Sequence, residues 1–138
     1  MDDFIDKILI SREEIQSRVI ELAKQISNDY TNKEIRAVGI LRGAFIFMSD
    51  LIRNISVPVS VDFMSISSYG NGNESCGVIR ILKDLDKPVY NKHVLIIEDI
   101  VDTGLTLQHL KEVLTIREPA SLKVCTLLDK RERRIVKN

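Results

Sequence analysis

The sequence predicts an α/β domain built on a largely parallel sheet flanked by helices, and three observations predict it. Residues 35–41 (IRAVGIL) and 94–97 (VLII) are short, mostly apolar runs, as in strands buried on both faces. Each run passes through a turn containing glycine, Gly43 or Gly104, into a helical apolar pattern, which is the alternation expected of a parallel sheet. The chain has 138 residues, 44% of them hydrophobic and 29% charged, which suits a single domain over residues 1–138 with a core of its own.

The elements follow in order. Ser11 with Glu14 makes a capping box, and Ile10 and Ile15 are placed for a hydrophobic staple. Ile15, Val19, Leu22, Ala23 and Ile26 then mark one face of a helix. The strand at 35–41 leads through Arg42-Gly43 into a helix over 44–54. Residues 57–66 (VPVSVDFMSI) are rich in β-branched side chains and read as a strand. Residues 67–77 (SSYGNGNESCG) hold too much Gly, Asn and Ser to pack as an element. They make a surface loop or, since loops of this length inside a domain tend to be functional, a lid. Residues 78–82 return as a strand, and 84–91 turn around Pro88. After 94–97, Leu107, Leu110, Val113 and Leu114 form the face of a helix that stops before Glu118-Pro119. Residues 122–128 (LKVCTLL) are the last strand. Right-handed crossovers put the loops at 42–43 and 102–106 at one end of the sheet, although spacing does not show that they meet.

Charge and cysteine usage exclude several classes. The 20 basic and 20 acidic residues cancel, which argues against a nucleic-acid or membrane partner held by general electrostatics. Cys76 and Cys125 have no metal-ligand spacing and suggest no disulfide framework, which fits a reducing cytosol. The opening MDDFIDK lacks the basic and apolar regions of a signal peptide. No apolar run approaches the roughly 20 residues needed to cross a bilayer.

The chemistry concentrates at 94–106, VLIIEDIVDTGLT. A buried strand that ends in Glu98 and Asp99, then turns through Asp102-Thr103-Gly104 into a helix, has the form of a small-molecule site, because ligands of open α/β sheets sit beyond the carboxyl ends of the strands. A helix start suits a phosphate, and Thr103 and Thr106 add hydroxyls there. Asp and Thr are also ordinary helix caps, and Glu-Asp after a strand can be a solvated loop. Glu98, Asp99 and Asp102, with two threonines and a glycine, crowd more polar chemistry into this turn than capping requires.

Residues 98–107, EDIVDTGLTL, closely resemble the phosphoribosyl diphosphate (PRPP) signature of the type I phosphoribosyltransferases, in the form found in the hypoxanthine and hypoxanthine–guanine enzymes of purine salvage. The resemblance implies the type I phosphoribosyltransferase fold and transfer of ribosyl phosphate from PRPP to a 6-oxopurine with Mg²⁺. It implies that Asp102, Thr103, Gly104 and Thr106 cradle the 5′-phosphate, that Glu98 and Asp99 hold the ribose hydroxyls directly or through the metal, and that Asp102 is the general base. Arg42-Gly43 resembles the diphosphate-binding loop, with a cis bond between Leu41 and Arg42; many relatives carry Lys at that position. A plain strand-to-helix turn is the alternative there. Ser68-Tyr69 resembles the Ser-Tyr pair of a loop that closes over the diphosphate. Lys130 resembles the lysine that reads the exocyclic oxygen of the purine, although a charge run such as 129–134 is usually a solvated tail.

The resemblance covers nearly the whole chain, which stops about where relatives continue through a further strand and loop bearing an aromatic that stacks on the purine and an Asp for a second metal. A C-terminally short domain is therefore expected. Homodimers or homotetramers in the cytosol are expected by the same resemblance. The alternatives are a PRPP- or nucleotide-binding regulator of the same fold and an inactive truncated domain.

Overall fold

The computed structural model describes residues 11–68, 78–101 and 104–129, with backbone alone at 68, 101, 128 and 129. In chain order the elements are α1 (Arg12–Asp29), β1 (Ile35–Leu41), α2 (Phe45–Ile52), β2 (Val59–Ser68), β3 (Ile79–Lys83), β4 (His93–Val101), α3 (Leu105–Thr115) and β5 (Ser121–Asp129). The five strands form one sheet in the order β3-β2-β1-β4-β5. β1 pairs in parallel with both β2 and β4, and β4 with β5, while β3 returns antiparallel to β2. The largely parallel sheet expected from the sequence is present, with one antiparallel edge.

Strand alternation divides the core between two faces. Ile35 and Ala37 of β1, with Leu95 and Ile97 of β4, pack against Val19, Leu22, Ala23 and Ile26 of α1 and against Phe47, Met48 and Leu51 of α2. The intervening residues Val38, Ile40, Val94 and Ile96 pack on the other face with Leu107, Leu110 and Leu114 of α3. Successive side chains of a strand point to opposite faces, so a sheet covered on both sides must be apolar at every position of its central strands. This is why the two apolar runs can be read as strands.

α1 begins as the capping box requires: the Ser11 side chain accepts from the Glu14 N–H at 3.1 Å. Ile10 of the expected staple lies outside the described residues, and Ile15 is 36% exposed at the margin of the buried face rather than within it. Val113 of α3 is likewise only half-buried.

Polar fasteners hold the return from β3 to β4. The buried Asp62 accepts from the Asp86 and Lys87 N–H groups at 2.9 and 3.1 Å. Arg117, past α3, donates both terminal nitrogens to the two oxygens of Asp84, which holds the Asp84 carboxyl below its ordinary range.

Gly39 lets α2 approach the sheet. A Cβ there would collide with Sδ of the buried Met48 and lie 3.2 Å from the Phe63 ring. Gly39→Ala is expected to cost about 1–3 kcal/mol through overpacking, read as a lower urea midpoint at unchanged slope. A wild-type midpoint would show that Met48 yields freely.

Candidate active site

The strand order sets the position of the site. From β1 the chain moves outward to β2 on one side and later returns through β4 on the other, so the ends of β1 and β4 flank a topological switch point. Crevices at such points are where open α/β sheets bind ligands. The parallel register, from Ile35 opposite His93 to Gly39 opposite Ile97, brings both carboxyl ends out at the same end of the sheet.

At that end the loop after β1 meets β4. The peptide bond between Leu41 and Arg42 is cis. An ideal Cβ on Gly43 would stand 3.1 Å from both carboxylate oxygens of Asp99. The loop therefore lies against an acid carried by β4, and a side chain at Gly43 would press on that carboxylate. Gly43→Ala is expected to shift the Asp99 carboxylate while leaving stability nearly unchanged, because Gly43 is exposed. A crystal structure of the variant with Asp99 in its wild-type place would contradict this, and a urea midpoint checks the stability.

Glu98 and Asp99 differ from the sequence expectation in one respect. β4 runs on to Val101, so both acids sit within the strand rather than in the loop after it. Both are half-buried. The Asp99 N–H donates to the Glu98 carboxylate at 3.2 Å, and Thr126 Oγ1 of β5 donates to the Asp99 carbonyl at 3.4 Å. Burial, then the hydrogen bond and negative charge of the adjacent Asp99 carboxylate, push the Glu98 carboxyl up to about 8, against a smaller opposing effect of the Asp99 N–H. The strand thus presents two neighbouring carboxyl groups, and Glu98 holds its proton well above the ordinary carboxylate range.

Gly104 caps α3 with φ of 90°, a left-handed conformation that glycine adopts without steric cost. Its carbonyl accepts from the Gln108 N–H at 3.0 Å. Thr106 is half-buried in the first turn of α3, at the positive end of the helix dipole.

The structure therefore brings Gly43 against Asp99 of the neighbouring strand, with Arg42 and Glu98 next to them in the chain, and it places Gly104 and Thr106 just beyond the end of that strand. Ser68 ends β2 and is described by its backbone alone. Asp102, Thr103, Tyr69 and Lys130 lie outside the described residues. Thr126 is the contact that sequence reasoning misses, although a hydroxyl inside the apolar run LKVCTLL is a visible signal. Among the described residues, no three His, Cys, Asp or Glu side chains gather to hold a metal unaided. Glu98 and Asp99 are hard oxygen donors of the kind Mg²⁺ takes one or two at a time, filling its remaining positions with substrate oxygens and water.

Residues 10–138 match the phosphoribosyl transferase domain family. The chain is 50% identical to the hypoxanthine phosphoribosyltransferase of Haemophilus influenzae, over 94% of this chain and 74% of that one. It is 48% identical to the hypoxanthine-guanine phosphoribosyltransferase of Mycobacterium bovis, over 91% of this chain and 65% of the relative. A crystal structure of a hypoxanthine phosphoribosyltransferase from Staphylococcus aureus superposes with a TM-score of 0.92 at 47% identity, covering 96% of this chain and 72% of that one. The match over residues 10–138 and identities near 50% across most of the chain show its place: it belongs to the phosphoribosyl transferase domain family.

Proposed function

We propose that this chain is a purine-salvage glycosyltransferase that moves ribosyl phosphate from PRPP to a ring nitrogen of a 6-oxopurine, hypoxanthine first and guanine as the alternative acceptor. The observation that carries the proposal is the Asp99 carboxylate seated against Gly43 at the switch point of the sheet. That contact joins an acid suited to ribose hydroxyls to a loop suited to diphosphate. The names of the relatives support the choice of substrates.

In the reaction the bond from C1′ to the diphosphate oxygen breaks and a bond from C1′ to the purine nitrogen forms, while that nitrogen loses its proton. Glu98 and Asp99 orient the ribose and stabilise positive charge developing at C1′. Arg42 and the backbone at Gly43 receive the departing diphosphate. Asp102, Thr103, Gly104 and Thr106, at the start of α3, hold the 5′-phosphate. Asp102 accepts the purine proton. Ser68 and Tyr69 close over the diphosphate and exclude water, and Lys130 reads the exocyclic oxygen of the base. Glu98 and Asp99 would hold Mg²⁺, which when bound would neutralise charge on the diphosphate. The same reading makes the protein a cytosolic homodimer or homotetramer with no nucleic-acid or membrane partner.

The test is turnover of the 138-residue chain with Mg²⁺, PRPP and a panel of purine bases, read as nucleotide formed. Nucleotide is expected with hypoxanthine. PRPP binding without product from any base would leave a binding protein or an inactive domain, and the transferase reading would fall.

A further inference from the structure

A buried cation lies at the end of the sheet opposite the candidate active site. Arg36, the second residue of β1, is 8% exposed. Its Nε donates to Ser60 Oγ at 2.8 Å and its Nη1 to the Pro88 carbonyl at 3.0 Å. Both partners are neutral. Among the described residues, no carboxylate lies within ion-pair distance of this guanidinium. The buried Asp62, two residues on from Ser60 in β2, is engaged by the Asp86 and Lys87 N–H groups and makes no ion pair with Arg36. The guanidinium therefore keeps hydrogen-bonding capacity for an anion.

The third nitrogen, Nη2, donates to none of the described residues. The sealed and unpartnered side-chain atoms among the described residues are Tyr30 Oη and Ser67 Oγ, so Nη2 is not sealed. Arg36 lines a cavity of about 150 Å³ together with Glu34, Ser60, Asn91, Lys92 and His93. That lining carries two fixed cations, Arg36 and Lys92, against one carboxylate, Glu34. The His93 ring is turned to Ser121 through Nδ1 at 2.8 Å. Asn91 holds a left-handed turn, with φ of 58°, at the cavity wall. β1 has seven residues, so this cavity and Gly43 stand roughly 20 Å apart at a rise of about 3.3 Å per residue.

We propose that this cavity is a second anion site, distinct from the candidate active site, that takes a single phosphate group, either free or at the end of a phosphorylated metabolite. A guanidinium with two donors already fixed is pre-organised and has its remaining donors to offer, and a phosphate oxygen supplies the charge-assisted partner that Ser60 and Pro88 do not. Lys92 adds a second charge from the rim.

The experiment is ¹H–¹⁵N NMR of the full chain titrated with inorganic phosphate. The Arg36 Nε–H signal and the Asn91, Lys92 and His93 amides report this cavity, and the Gly43 and Asp99 amides report the other end separately. Saturable shifts at Arg36 and residues 91–93 are expected in the millimolar range. Lys92→Ala should weaken them about tenfold and leave the response at Gly43 and Asp99 unchanged; Arg36→Met should abolish them. If Arg36→Met does not fold, the exposed Lys92 variant alone decides. Tighter saturation with glycerol 3-phosphate assigns the site to a phosphomonoester, and equal or weaker saturation assigns it to free phosphate. Shifts confined to Gly43 and Asp99, a response at 91–93 that never saturates, or one indifferent to Lys92→Ala would overturn the proposal.

Discussion

The double variant Glu98→Gln/Asp99→Asn is expected to bind Mg–PRPP at least about a hundredfold more weakly than the wild type. Charge-assisted hydrogen bonds are worth about 1.5–3 kcal/mol each, so losing two removes roughly 3 kcal/mol or more, and each 1.4 kcal/mol is a factor of ten. Calorimetric titration with and without Mg²⁺ measures it, and equal affinity in both proteins would remove these acids from the site. The fold should survive the change. The Glu98 carboxyl is raised from 4.5 to about 8, so the native state holds its proton more tightly than the unfolded chain does. Without substrate, Glu98 therefore costs stability progressively as pH rises from about 4.5 to 8, and the cost is complete above that range. Glu98→Gln alone should unfold no more easily than wild type at pH 8, even as PRPP binding falls. That divergence separates a residue kept for binding from one kept for stability.

Asp102→Asn is expected to lower turnover by about 10²–10⁴-fold, the usual range for removing a general base, while PRPP affinity changes little because the base acts on the purine. Single-turnover kinetics isolate the chemical step from product release. Unchanged chemistry there would move the proton-accepting role elsewhere.

The sequence is most informative where burial is two-sided. IRAVGIL and VLII are apolar at nearly every position because helices cover both faces of β1 and β4, and a one-sided strand would instead alternate with polar residues. The ends of elements are less legible. β4 continues through Glu98 and Asp99 because pairing with β5 extends to Val101 opposite Asp129, a tertiary fact that local composition does not encode. The components of the site can be named from residues 98–106, but their meeting cannot. Gly43 and Asp99 are distant in sequence, and only the parallel neighbourhood of β1 and β4 brings them together. Arg36 and Asp62 look in the sequence like single polar residues inside strand patterns. Both make hydrogen bonds to the return between β3 and β4, and no periodicity could show those bonds.

β1 and β4 are each bonded to a neighbour on both sides, unlike β3 and β5 at the edges. Glu98 and Asp99 extend from the doubly flanked β4 but lie past its last pairing with β1, Gly39 opposite Ile97, where β5 alone pairs with β4. Local opening in the doubly flanked body of β4 costs nearly as much as unfolding the domain, whereas edge strands and loops open cheaply. Breathing that admits a ligand is therefore expected first in the loops and strand ends, with the body of β4 as the reference against which they move.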